Sequence, residues 1–151
     1  MLQLARKVDR EAVEVIARQV HAMHINWRPD LYEMPEELYS EERFESAVAE
    51  RQLYVAKADN VVVGYVLLKI RSYDWPGVVK RRVMLVDELA VRENCRNSGI
   101  GTAMMEDVKA LASAFGCTDI QLGVYPQNDD AVRFYQKCGL TIRSIEMQMK
   151  V

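Results

Sequence analysis

"RENCRNSGIGTAMMEDVKALAS", residues Arg92 to Ser113, is the stretch on which the fold turns. Ahead of it, "RRVMLVDELAV" is a strand by its apolar and β-branched run. Behind Gly99, the residues Ile100, Met104, Val108, Leu111 and Ala112 recur at helical spacing and predict a helix to about Phe115. Gly116 stands where a left-handed C-terminal glycine belongs. A strand ending at Val91 and a helix opening at Gly99 make a helix N-terminal anion site. The first amides of a helix have no intrahelical partner, and its dipole makes that end positive. Glycines at 99 and 101 allow close backbone approach, Arg96 adds a charge, and Ser98 or Thr102 adds a hydroxyl.

Two common phosphate motifs do not fit. A P-loop needs Gly-Lys-Ser/Thr, whereas Ile100-Gly101-Thr102 follows Gly99. A dinucleotide fingerprint needs a small residue at 104, which is methionine. On these residues alone, the turn is either an anion site for another ligand or an unligated link in the scaffold.

Outward from this stretch, "LQLARKV" reads as a short strand, and Asp9 is placed to cap a helix running to about Met23. "INWRPDLYEMPEE" is irregular, and Ser40 caps a second helix to about Glu50. "QLYVAKADNVVVGYVLLKIRS" is a hairpin turning at Asp59-Asn60. After the central helix come a strand "DIQLGV", a helix "NDDAVRFYQKCG" and a final strand "LTIRSIEMQMKV". Hairpins early and strand-helix-strand crossovers late predict an α+β fold: a mixed, mostly antiparallel sheet of six to seven strands with helices on both faces, in three layers.

At 151 residues this is one domain. Twenty basic against twenty-two acidic side chains leave too little positive charge for a general nucleic-acid or membrane-surface role. No apolar run is long enough for a membrane span, and the N-terminus is charged too early for a signal peptide, so a cytoplasmic location is expected. Cys95, Cys117 and Cys138 are too far apart for a metal pair and read as small hydrophobes. His21 and His24 lie one turn apart without a third ligand, so no metal is expected; His24 extends the Val13–Ala17–Val20 stripe. Lys80-Arg81-Arg82 reads as a solvated edge.

"RNSGIG" resembles the Arg/Gln-x-x-Gly-x-Gly/Ala signature of the GNAT superfamily of acyl-CoA-dependent N-acetyltransferases. "VDELAV" resembles that family's bulged fourth strand, "DIQLGV" its fifth, and "NDDAVRFYQKCGL" its Asn-x-x-Ala-x-x-Phe-Tyr segment, with Leu140 in place of the usual Phe. The likeness is specific over 52–151, the expected acyl-CoA half; residues 1–51 match in secondary structure only and form the expected acceptor half.

The resemblance implies that the backbone of Arg96, Asn97, Ser98, Gly99, Ile100, Gly101 and Thr102 cradles the pyrophosphate of acetyl-CoA. Leu89, Ala90 and Val91 would pair with its pantetheine arm, beside a bulge near Asp87-Glu88 that splays the strand ending at Val91 from the one ending at Val124. An amide at Leu89 or Ala90 would serve the oxyanion. Asn128, Ala131 and Tyr135 would flank the arm from one helix face, with Tyr135 as general acid for the leaving thiolate. Glu88, with Asp87 next, is the base candidate for the attacking amine. His24, Trp27, Arg28 and Tyr32, with Glu33, are candidate acceptor contacts. The implied activity is acetyl transfer to a primary amine by direct attack in a ternary complex; a non-catalytic acyl-CoA-binding or sensor module is the alternative. Polyamine, amino acid, aminoglycoside, protein N-terminus and lysine side chain all suit the same cofactor half, and self-association into a homodimer is common in such proteins.

Overall fold

Asp59 and Asn60 both adopt positive φ, 50° and 62°. Two consecutive left-handed residues make a hairpin turn whose twist suits the strands it joins. Here it links β2 (Leu53–Ala58) to β3 (Val61–Tyr73). The computed structural model describes residues 1–151. In it, β1 (Leu2–Leu4), β2, β3 and β4 (Arg81–Val91) are successive antiparallel neighbours, and β5 (Asp119–Leu122) joins β4 in parallel. The helices are α1 (Arg10–Trp27), α2 (Glu41–Ala49), α3 (Ile100–Ala114) and α4 (Asp129–Lys137).

Side-chain alternation along the strands divides the core in two. Leu53, Val55, Tyr65 and Leu67 pack with Val13 and Ile16 of α1 and Phe44 of α2. Their sequence neighbours Tyr54, Val66 and Leu68 pack with Met104 and Val108 of α3. Gly64 is where the second core closes tightest. A Cβ there would lie 2.8 Å from the Ala90 carbonyl oxygen and 2.9 Å from the Met104 sulfur. Only a residue without a side chain lets β3, β4 and α3 meet at that distance.

The strand of most consequence is β4. Leu67 pairs with Glu88 and Leu68 with Val86, so Asp87 is an extra residue in the β3–β4 ladder, at the expected place for a bulge. Pairing with β5 stops at Val86–Leu122. From Asp87 to Val91, β4 therefore keeps β3 on one side and has a free edge on the other.

Three expectations are corrected. The sheet has five strands, not six or seven, because "LTIRSIEMQMKV" forms no strand. Residues 141–151 make no backbone hydrogen bond within the chain, the last being Leu140 N–H to the Tyr135 carbonyl. Nor is the three-layer arrangement complete, since α4 buries none of its nine residues. At the other end, Asp9 precedes α1 as expected but does not cap it. Its buried carboxylate accepts from the Arg6 amide and pairs with Lys57 at 2.8 Å, and residues 7–9 form a short 3-10 turn rather than more strand.

Candidate active site

The turn between β4 and α3 holds a run of unsatisfied donors. Asn97 (φ 61°) and Gly99 (φ 84°) are both left-handed, which turns successive amides toward one side. No protein acceptor meets the N–H of Asn97, Ser98, Gly99, Ile100, Gly101 or Thr102; the first intrahelical bond is Ala103 N–H to the Gly99 carbonyl. A Cβ at Gly99 would meet nothing within 4 Å, so this side of the turn is open. At Gly101 a Cβ would lie 3.1 Å from Phe134, so that glycine also makes room for α4. The Arg96 guanidinium folds back, its Nε donating to the Val91 carbonyl at 3.1 Å, and Ser98 Oγ donates to the Cys95 carbonyl. Both side chains brace the turn; its amides are what it presents.

One cleft of about 3030 Å³ runs along this turn and the free edge of β4. All the cofactor-side residues named from sequence line it except Ser98, whose hydroxyl is tied to the Cys95 carbonyl. From the α4 side come Asn128, Ala131 and Tyr135. Asn128 is the cap of α4, its Oδ1 accepting from the Ala131 amide at 3.2 Å, which leaves its NH₂ free to donate. Burial, with a smaller effect from Cys138, pushes the Tyr135 phenol up to about 12, so it stays protonated near neutrality.

Glu88 faces the opposite wall and is held by three donors. Its Oε2 accepts from Tyr39 and Tyr65, each at 2.7 Å, and its Oε1 from Arg43 at 2.9 Å. Arg43 also stacks on the Tyr39 ring, 4.1 Å from its centroid. Burial first and then the Glu88 charge raise both phenols well above their ordinary range, so they act only as donors. Asp87 points away from this cluster and pairs with Lys69.

The acceptor-side residues gather at the mouth. The His24 ring lies 5.5 Å from Tyr32, 5.8 Å from Trp27 and 6.0 Å from Tyr125, centroid to centroid. The hydroxyls of Tyr32 and Tyr125 are hydrogen-bonded at 2.6 Å. Burial, and then the neighbouring His21, lower the His24 pKa below 6.5, so its ring is neutral at physiological pH. Arg28 is already committed: it makes a bidentate pair with Asp30 at 2.7 and 2.9 Å. Glu33 contributes its carbonyl, to His21.

Tyr39, Arg43, Tyr65 and Tyr125 were not singled out from sequence. Tyr65 alternates like any core residue of β3, and Tyr39 sits in an irregular segment. Only the folding of α2 over β4 shows that three donors converge on one carboxylate. No group of three His, Cys, Asp or Glu side chains is placed to hold a metal ion.

A sheet splayed after its fourth strand, with an amide-lined turn at the splay, defines the acyltransferase class of α+β proteins. The acetyltransferase (GNAT) family model matches residues 20–140, and the chain belongs to that family. It is 31% identical over 99 residues to an N-alpha-acetyltransferase of Sulfurisphaera tokodaii, a match covering 60% of this chain and 56% of that protein. It is 36% identical over 93 residues to an uncharacterized N-acetyltransferase of Methanocaldococcus jannaschii, covering 61% and 54%. The chain thus spans about half the length of the curated relatives it matches. Among solved structures it resembles a tetramutant of the BH1408 protein of Bacillus halodurans, with a TM-score of 0.94 at 24% identity over 100% of this chain and 99% of that one. An aminoglycoside N-acetyltransferase in complex with CoA gives a TM-score of 0.66 at 16% identity, covering all of both chains. At such identities these two likenesses speak for the fold alone.

Proposed function

We propose that this protein is an N-acetyltransferase that moves the acetyl group of acetyl-CoA to a primary amine by direct attack in a ternary complex. The observation that carries this reading is the continuity of two unsatisfied backbone surfaces. The free edge of β4 from Asp87 to Val91, at whose end Arg96 holds the Val91 carbonyl, leads through the short turn at 92–96 into the six unpaired amides of Asn97 to Thr102. An extended arm bearing amides and ending in a pyrophosphate complements both, in that order. Leu89, Ala90 and Val91 hold the arm, the turn holds the pyrophosphate, and Asn128 and Ala131 flank them. Acetyl-CoA supplies an activated thioester. The family match over residues 20–140 supports an acyl donor of this kind.

The remaining roles belong to side chains around the splay. An amide at Leu89 or Ala90 stabilises the oxyanion. Tyr135, held protonated, delivers a proton to the departing thiolate. Glu88 was the base candidate from sequence, but three donors already occupy its carboxylate. In this proposal its charge draws and orients the ammonium group, while His24, kept neutral by burial, takes the proton. The acceptor's body lies against Trp27, Tyr32 and Tyr125. A cytoplasmic location goes with this reading.

The test is thiol release from saturating acetyl-CoA with a panel of polyamines, amino acids, aminoglycosides and peptides with free N-termini. Peptides take priority because of the N-alpha-acetyltransferase relative. Turnover with at least one amine is expected. Tight acetyl-CoA binding without turnover would leave the non-catalytic sensor as the reading. Protection of the fold against heat by nucleotides but not by CoA would overturn both.

A further inference from the structure

β3 and β4 run on past the strands that flank them. β2 covers β3 only as far as the Leu53–Leu67 pair, with one further bond from the Leu68 amide to the Gln52 carbonyl at 2.8 Å. The residues ahead of Gln52 turn away into α2, and β5 covers β4 only from Val83. Lys69 to Tyr73 still pair with Leu85 to Arg81, so a two-stranded ribbon projects with one edge of β3 bare.

The Leu68 amide shows which groups face that edge. In an antiparallel strand the N–H and C=O of one residue point to the same side, and alternate residues share it. Ile70 and Ser72 therefore turn their N–H and C=O groups toward the bare edge, where no strand meets them. The register also sorts the side chains. Ile70 lies opposite Met84 of the α3-side core and Ser72 opposite Arg82, while Lys69, Arg71 and Tyr73 share the other face.

The charge around this edge departs from that of the chain. The protein carries a net charge of −2, yet residues 69–82 hold five cations against one carboxylate, Asp74. Lys69 pairs with Asp87, Lys80 with Asp74 and Arg81 with Asp119, but the exposed Arg71 and Arg82 enter no ion pair. At the tip the Trp75 ring stands 5.0 Å from that of Tyr73, and the Arg81 guanidinium lies 4.4 Å over the Tyr73 ring. Trp75 is 49% exposed and Ile70 39%. Cations alone would guard a bare edge against other strands. A guard does not call for half-exposed apolar side chains among them.

We infer that this edge of β3 docks an extended acidic segment of a partner protein as an added strand. Main-chain bonds to Ile70 and Ser72 hold it, carboxylates at alternate positions meet Lys69 and Arg71, and the apolar residue between them lies against Ile70. A nucleic acid would satisfy the cations and leave the edge amides bare, and a neutral strand would do the reverse. Ile70, Arg71, Ser72, Trp75 and Arg82 do not line the cleft, so the inference does not depend on acetyl transfer.

The probe is a fluorescein-labelled peptide in which Glu alternates with Ile and Val, titrated with the full chain and read by anisotropy. Saturable binding is expected, and bound peptide should slow hydrogen exchange at the Ile70 and Ser72 amides. Arg71→Glu/Arg82→Glu should weaken binding by about tenfold or more. Ser72→Pro keeps every charge but removes an edge donor, and should weaken it by a similar factor. An isomeric peptide with its glutamates in one block should bind about tenfold more weakly. No binding at low salt overturns the inference and leaves the cations as guards of the edge. Equal affinity for the block peptide or for a single-stranded oligonucleotide shows attraction by charge alone and overturns it too. So does a free chain whose two amides are already protected, the edge then being covered by a second copy. If Ser72→Pro does not fold, exchange in the wild type with peptide bound still separates main-chain pairing from charge alone.

Discussion

Replacing Tyr65 by Phe removes a single oxygen from one wall of the cleft. Tyr65 is 2% exposed, so nothing from solvent takes the place of its hydroxyl on Glu88. A hydrogen bond to a charged acceptor contributes about 1.5–3 kcal/mol. The Glu88 side chain is 32% exposed and recovers part of this from water, and Tyr39 still donates to the same Oε2 at 2.7 Å. The expected loss is therefore about 1–2 kcal/mol, or about 2–8 °C in Tm for a domain of this size. Tyr39→Phe should behave alike. The double variant should lose more than the two together, by about 0.5 kcal/mol or more, because Oε2 then has no buried donor left. Urea and thermal unfolding measure these losses. Two single variants of wild-type stability, additive when combined, would refute the reasoning.

Gly64→Ala should cost about 1–3 kcal/mol, because its Cβ meets the Ala90 carbonyl at 2.8 Å and cannot rotate away; an unchanged unfolding midpoint would contradict this. Gly99→Glu should weaken acetyl-CoA binding measured by calorimetry, since it puts a negative charge, on a backbone at φ 84°, where the free amides converge. Unchanged affinity would remove the pyrophosphate from this turn. Tyr135→Phe should lower kcat far more than it changes acetyl-CoA affinity, and a near-normal rate in single turnover would show that the thiolate leaves without it. His24→Gln should abolish the acid limb of the rate profile. With the wild-type His24 pKa lowered, that limb lies below pH 6.5: the neutral ring is the active form and is lost as pH falls through the folded value. A limb that survives in the Gln variant would assign it to another group.

How much was legible in the chain varies by element. The hairpin at Asp59-Asn60, the cap at Ser40 and the glycine turn at Gly99 rest on local chemistry, and each stands where its residues indicate. The bulge at Asp87 followed from the family likeness of "VDELAV" and lies in the β3–β4 register. By contrast, α1 runs four residues beyond Met23, to Trp27, because the His24–Trp27–Tyr32 packing extends it; no cap or glycine marks the earlier stop. Asp9 reads as a helix cap but answers to Lys57, far along the chain.

By itself, then, the sequence determined the order of elements from the first strand to the last helix, the amide-lined turn and the family. Those features depend on residues within a turn or a strand of one another, where backbone preference and hydrophobic period act directly. Only the tertiary structure decided that Tyr39, Arg43 and Tyr65 hold Glu88, that Gly64 must have no side chain, and that "TIRSIEMQMKV" finds no edge in its own chain. Each of those outcomes depends on which surfaces meet after folding. A two-residue period states that a segment is able to be a strand. Whether it becomes one is settled by the presence of a partner backbone within hydrogen-bond reach, and no local pattern encodes where that partner lies.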